Sequence, residues 1–260
     1  MDKNDIFRIL DNPEFIPGIY NYCDRWCERC SMTSKCGNYA LEKERFPDEE
    51  SKDIQNEKFW NTLSDIFKTT MEMILEDAEK RGIDLSQIDD SAIEERKEVK
   101  KAAKDTEIVK MAKKYGNDVD FWFDNTDVIL KEKEQELRKQ HEMEIPGLDP
   151  VKDSAEINDV IDVIRWYQHQ IYVKLMRAVT GKLEGMQDEF DDDMPKDYDG
   201  SAKVALLGID RSIAAWGAMM QHIPAEENSI LDILVLLERL RKKTETFFPD
   251  ARSFKRPGFD

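Results

Sequence analysis

The chemistry that the sequence offers is concentrated in four cysteines near its start. Cys23, Cys27, Cys30 and Cys36 are the only cysteines of the 260-residue chain. Thiolates are soft ligands for zinc and for iron–sulfur clusters, and four of them complete the coordination of one such centre. We therefore predict that these four residues bind a metal centre.

The spacing of the cysteines indicates how their sulfur atoms would meet. Cys23, Cys27 and Cys30 are four and three residues apart, so on a helix they would face the same side. The residues before Cys36 are enough for the chain to turn back and supply a fourth ligand. Positive charge between the cysteines is expected to lower the thiol pKa values and to offset the negative charge of a thiolate-bound centre. It comes from three residues, Arg25, Arg29 and Lys35.

Two alternatives remain open for the identity of the centre. Structural zinc sites usually pair two cysteine knuckles about a dozen or more residues apart, whereas iron–sulfur ligands often form one compact run. Here two residues separate the pair Cys23 and Cys27 from the pair Cys30 and Cys36. The spacing therefore favours a [4Fe–4S] cluster, with Zn bound by four thiolates as the alternative.

Parts of the cysteine segment resemble two known motifs. Cys23-x3-Cys27-x2-Cys30 resembles the motif of radical SAM enzymes, which implies a β/α barrel and an open iron. The chain shows no parallel-strand pattern, and a fourth cysteine would close the open position. Cys27-x2-Cys30-x5-Cys36 resembles the iron–sulfur staple of RecB-type exonucleases, which implies an acidic nuclease core on strands that the sequence also lacks. We assign the chain to neither family.

The composition excludes several classes of protein. With 39 basic and 56 acidic residues the formal charge is −17, which disfavours a sequence-independent nucleic-acid binder. No apolar run approaches the roughly 18 residues of a membrane span. The acidic start has no apolar signal core, so we expect a cytoplasmic protein. In that reducing environment clustered thiols bind metal more often than they form disulfides.

The elements that must position the cysteines are predicted to be helices. Only 11 Gly and 9 Pro interrupt the chain, and apolar residues recur every three or four positions over most of it. Because each amphipathic face needs a partner, this pattern predicts an all-α bundle of about six helices with an irregular N-terminal four-cysteine arm. The predicted helices of the bundle cover residues 58–81, with Gly82 just past the end, and residues 91–115, 117 to about 145, 155–185, 201–223 and 230–246.

Pro and Gly residues, which interrupt regular secondary structure, divide the chain into three parts. We expect a metal-binding arm over residues 1–47, a helical bundle over 56–247 and a C-terminal tail over 248–260. The tail mixes basic and aromatic residues. It is expected either to pack on the N-terminal module or to serve as a motif for a protein partner.

Three functional hypotheses follow. The first is a closed four-cysteine iron–sulfur centre with a redox, sensing or stabilising role, shielded from water by Trp26 and Tyr22. The second is a non-catalytic interaction module stapled by zinc. The third is a helical enzyme whose pocket is formed by four polar residues, Arg165, His169, Asp210 and Arg211. The sequence leaves open whether the protein is an enzyme and what its oligomeric state is.

Overall fold

The structure, a computed structural model, describes residues 2–84, 90–185 and 196–260, and within these ranges all regular elements are helical. This confirms the predicted all-α class. None of the helices in these ranges combines the length and the apolar character needed to cross a lipid bilayer. The α-helices are α1 (Lys3–Leu10), α2 (Gly37–Arg45), α3 (Glu49–Lys52), α4 (Glu57–Arg81), α5 (Asp90–Asp105), α6 (Glu107–Glu142), α7 (Pro150–Gly185), α8 (Asp197–His222) and α9 (Glu227–Phe247).

The chain forms two compact units. The first consists of Met1–Arg96 together with Lys255–Asp260, and the second consists of Lys97–Phe254. The cysteines belong to the first unit, and the last six residues of the chain belong to the same unit. The first unit is therefore discontinuous in sequence.

The second unit is built on a four-helix core. Each of α6, α7 and α8 packs against the next helix in the chain, and α9 packs against both α8 and α6, which closes the ring. Its centre holds large side chains that are almost fully buried, among them Trp216, Tyr115 and Tyr167. The indole Nε1 of Trp216 donates a hydrogen bond to the hydroxyl of Tyr115 at 3.2 Å. The polar ends of these aromatic residues are thus paired inside the apolar core.

Small residues on α8 allow α7 to approach closely. A Cβ atom on Gly208 would lie 2.9 Å from Cδ1 of Tyr167 and 3.2 Å from Cγ1 of Ile171 on α7. All the small residues on this face are buried: Ser201, Ala205, Gly208, Ser212 and Ala215.

The predicted helix break at Gly116 is wrong. Helix α6 continues through this residue, and the break lies instead between Asp105 and Glu107. A Cβ atom on Gly116 would be 3.1 Å from Nδ1 of His169 and 3.3 Å from the carbonyl oxygen of Gln168. The side-chain amide of Gln168 also donates to the carbonyl oxygen of Gly116 at 3.0 Å. This glycine therefore provides space for a neighbouring helix and does not end its own.

Helix α4 of the first unit has the predicted position but not a buried apolar face. It ends where expected, with Gly82 in the left-handed conformation at φ 68°. Within its predicted apolar stripe, however, Phe67 is 67% exposed and Met71 is 56% exposed. Ala78 is the buried residue of this helix. The apolar period of three to four residues predicted this helix correctly. The burial that such a stripe usually indicates is not found here.

Candidate metal centre

The cysteine segment follows an irregular path of short 3-10 turns and extended residues. Cys23 is extended after the turn Ile19–Tyr22, Cys27 begins a turn that ends at Arg29, and Cys30 is extended again. The expectation that the first three cysteines share one helix face is therefore wrong. The side-chain carboxylate of Asp24 accepts the backbone N–H of Trp26 at 3.2 Å, and the intervening Arg25 has a φ of 59°. This local turn competes with helix formation.

All four cysteines nevertheless line one cavity. They are half-buried and carry no disulfide. Cys36 reaches the cavity from the N-terminal end of α2. The cavity is completed by Ile19, Tyr20, Asp24, Arg25, Trp26, Met32, Thr33, Tyr39 and Phe259.

The sulfur atoms do not converge on a single point. Among the described residues, no three His, Cys, Asp or Glu side chains are placed as ligands of one metal ion. What the structure contains is thus an irregular segment that gathers four thiols around a common cavity. Metal binding by this arm remains a prediction.

Burial dominates the electrostatics of Cys27. It raises the pKa of this thiol to about 11, with further contributions from Glu42, Cys23, Glu28 and Cys30. The predicted lowering of the thiol pKa is therefore wrong at this cysteine. A thiol of raised pKa is held in its neutral form, so a metal that binds here has to displace the proton.

Two basic residues of the segment, Arg25 and Arg29, lie over aromatic rings. The guanidinium of Arg29 lies over the ring of Trp26, 4.1 Å from its centroid, and that of Arg25 lies 5.9 Å from the centroid of Tyr20. These cation–π contacts direct the positive charges onto aromatic rings that themselves line the cavity. The two arginines thereby support the walls of the site.

Two cysteines have hydrogen-bond partners on the backbone. The N–H of Met32 donates to Sγ of Cys30 at 3.4 Å, and the thiol of Cys23 donates to the carbonyl oxygen of Tyr20 at 3.5 Å. The first contact can persist when Cys30 is a thiolate, because the sulfur is the acceptor. The second requires the proton, so it would be lost on deprotonation. Hydrogen bonds to ligand sulfurs are among the factors that set the potential of an iron–sulfur cluster.

The aromatic shield differs from the predicted one. Trp26 lines the cavity as expected, whereas Tyr22 is not among the lining residues. Its place is taken by Tyr20 and Tyr39 within the arm and by Phe259 from the end of the chain. The sequence signalled Phe259 only through the aromatic and basic character of the tail.

The C-terminal residues pack on the cysteine segment, which is the first of the two predicted arrangements of the tail. The backbone at Gly258 lies so close to the arm that a Cβ atom there would be 2.9 Å from Cδ1 of both Ile16 and Ile19. Phe259 reaches the cavity from this position. The first unit therefore joins both ends of the sequence around the thiols.

The polar residues considered as an enzyme pocket lie in the second unit, where Arg165 and His169 are at the surface. The guanidinium of Arg165 is paired with the carboxylate of Asp120 at 3.0 Å and lies 3.9 Å from the ring centroid of Phe123. The hydrogen bond of Gln168, followed by that of Arg165, lowers the pKa of Asp120. The side chain of His169 is 70% exposed.

Asp210 and Arg211 have other partners. Asp210 accepts from Arg252 at 2.6 Å and lies 3.6 Å from Arg241. Arg211 donates to the hydroxyl of Tyr167. Partly exposed ion pairs of this kind contribute about 1 kcal/mol or less to stability. The observed contacts tie the four residues to different partners and give no support to a shared pocket.

Comparison with known proteins adds no assignment. No family model matches the sequence, and searches of curated proteins and of solved structures find no match. The function has to be inferred from the residues themselves.

Proposed function

We propose that this protein binds an inorganic centre through Cys23, Cys27, Cys30 and Cys36, with a [4Fe–4S] cluster preferred over zinc. The observation that carries the proposal is that all four cysteines of the chain line a single cavity. Four thiols that meet by chance are uncommon, and in a reduced protein their usual purpose is to bind metal.

The four thiols surround a small open space, which a closed zinc site would not leave. Four sulfurs around one zinc ion lie 2.3 Å from the metal and hence about 3.8 Å from each other, which leaves no space for even a water molecule between them. Here the cavity has a volume of about 20 Å³, which is space for about one water molecule, so its walls would have to move outward to admit the eight atoms of a cluster. A cubane is bound through four separate irons, so its ligands are further apart than those of a single ion.

The composition of the first unit supports a stabilising role for the centre. Among its described residues, the apolar side chains that are buried are Ile6, Ile19 and Ala78, whereas the second unit buries an extensive core. A small core needs an additional constraint, and metal coordination is one that small modules commonly use. When bound, a cluster also supplies one-electron redox chemistry. The shield formed by Trp26 and its aromatic neighbours would limit access of water to it.

Zinc is the second candidate, because the same small core would be stapled equally well by a single ion. In that case the protein is a non-catalytic interaction module, and its sulfurs must move together when the metal binds. Such a movement is available to this segment, since short turns and extended residues connect the ligands.

The test is to purify the protein without oxygen, record its visible spectrum and measure bound iron, sulfide and zinc. We expect a coloured protein with about four iron and four sulfide per chain. Replacing any one cysteine by serine should remove most of the metal. The matched control is Ser34→Ala, because Ser34 lies between the ligands and is exposed. A colourless protein with one zinc per chain would overturn the cluster, and a folded protein that takes up no metal on reconstitution would overturn both readings.

A further inference from the structure

We infer that the last six residues of the chain, Lys255–Asp260, form a lid over the thiols and that Phe259 is the residue that closes the cavity. This inference rests on the proposed function only where it concerns bound metal. The closure of the thiols themselves is a separate property of the first unit.

The first observation is the place of Phe259. This side chain lines the same cavity as the four cysteines, although it lies more than two hundred positions away in the sequence. Every other residue that lines the cavity belongs to the segment from Ile19 to Tyr39. Phe259 is thus the one contribution to the described lining from outside the arm.

The second observation is that the tail fixes its own conformation. The N–H of Phe259 donates to the carbonyl oxygen of Arg256 at 3.1 Å. The guanidinium of Arg256 is paired with the carboxylate of Asp260 at 3.1 Å, and the two side chains are only 15% and 18% exposed. The same guanidinium lies 4.9 Å from the ring centroid of Phe259. Arg256 and Asp260 therefore act as positioning residues, since they hold the phenyl ring through the turn and do not line the cavity.

The third observation is the close fit of Gly258 against the arm. Its φ of +77° is one that L side chains rarely adopt. A Cβ atom would in addition lie 2.9 Å from Ile16 and Ile19 and 3.3 Å from Met32. Ile19 is 1% exposed, so it has little freedom to move aside. A glycine is needed at this position for the tail to sit against the arm.

Closure by the lid has a chemical consequence. A chelator or a thiol reagent that reaches the cysteines from the side of the tail has to wait for Phe259 to move away. The four cysteines are half-buried, so a reagent also has partial access to them without the tail moving. The part of the reaction that passes the tail depends on how often the tail opens, which is a local event with its own free energy.

The experiment compares full-length variants by two rates. The first is the rate at which the reduced, metal-free protein reacts with 5,5′-dithiobis(2-nitrobenzoate), and the second is the rate at which the metal-loaded protein loses metal to a chelator. We expect Phe259→Ala and Gly258→Ala to raise both rates by about tenfold or more, because local opening becomes more frequent.

The chain offers matched controls for both substitutions. Gly147 has the same left-handed backbone, with φ +87°, but no atom within 4 Å of an added Cβ. Gly147→Ala therefore has the backbone strain without the clash. Phe121 is 71% exposed, so Phe121→Ala removes a phenyl ring that closes nothing. Both controls should react at the rate of the unmodified protein.

The outcomes separate the lid from the proposed function. If Phe259→Ala and Gly258→Ala react no faster than their controls, the lid is wrong whether or not the protein binds metal. If the unmodified protein takes up no metal but the variants still react faster with the thiol reagent, the lid stands and the proposed function fails. Phe259→Leu tests whether Phe259→Ala reacts faster only because the arm has unfolded. It should restore slow rates because leucine refills most of the space, and fast rates in this variant would also count against the lid.

Discussion

Replacing Gly208 by alanine would test how closely α7 and α8 approach each other. The added Cβ would lie 2.9 Å from Tyr167 and 3.2 Å from Ile171, whereas ordinary carbon contacts are about 3.5–4.0 Å. Both neighbours are 1% exposed, and the hydroxyl of Tyr167 accepts a hydrogen bond from Arg211. Neither side chain can turn away without disturbing the core.

The size of the effect follows from two opposing terms. Overpacking a core costs about 1–3 kcal/mol. Alanine is favoured over glycine inside a helix by about 1 kcal/mol. Gly208→Ala should therefore lower the free energy of unfolding by about 0–2 kcal/mol. Gly217 in the same helix has no atom within 4 Å of an added Cβ, so Gly217→Ala should raise it by about 1 kcal/mol.

Urea unfolding, monitored by tryptophan fluorescence, measures the free energy of unfolding of both variants. Trp216 and Trp122 report on this core, since their rings pack edge to face with centroids 4.9 Å apart. Helix propensity cancels between the two variants, so their difference of about 1–3 kcal/mol is the packing cost alone. If Gly208→Ala stabilises the protein as much as Gly217→Ala does, the two helices are further apart than described and the reasoning is refuted.

Two further predictions concern charge and exposure. Burial, followed by the nearby carboxylate of Asp250, raises the pKa of Asp199 above its unfolded value, so its contribution to stability is lost as the pH rises. Asp199→Asn should raise the urea midpoint at pH 7, with a gain that shrinks toward about pH 4; a gain that is constant with pH would contradict this. Phe67→Ala should change stability by about 0.5 kcal/mol or less because this residue is 67% exposed. Ile19→Ala, at a site that is 1% exposed, should lower the free energy of unfolding by about 2–5 kcal/mol. Equal urea midpoints for Phe67→Ala and Ile19→Ala would contradict the difference in burial.

The sequence predicted helices well where local and tertiary requirements agree. At Gly82 a glycine that follows an apolar period is a helix end, and the structure has the left-handed cap there. At Gly116 the same residue type is buried within α6, because the neighbouring Gln168 and His169 need its space. A single sequence does not distinguish these two uses of glycine, since the second depends on a residue about fifty positions away.

The candidate site was predictable to a similar extent. The short spacing of the cysteines favoured a common site, and all four line one cavity. Their backbone path was not predictable from helical spacing, since the Asp24 side chain forms a local turn with Trp26. Phe259 has no local pattern that connects it to the cysteines, so only the folded chain reveals its position.

The discontinuity of the first unit reverses the usual order in which a nascent chain folds. Contacts between Ile19 and Gly258 join residues about 240 positions apart, and closing so long a loop of disordered chain is entropically costly. The second unit, Lys97–Phe254, is continuous and can form as soon as it leaves the ribosome. The contacts of Gly258 and Phe259 with the arm can form only after Lys97–Phe254 has been synthesised, so the thiols are enclosed after the residues of the second unit are complete.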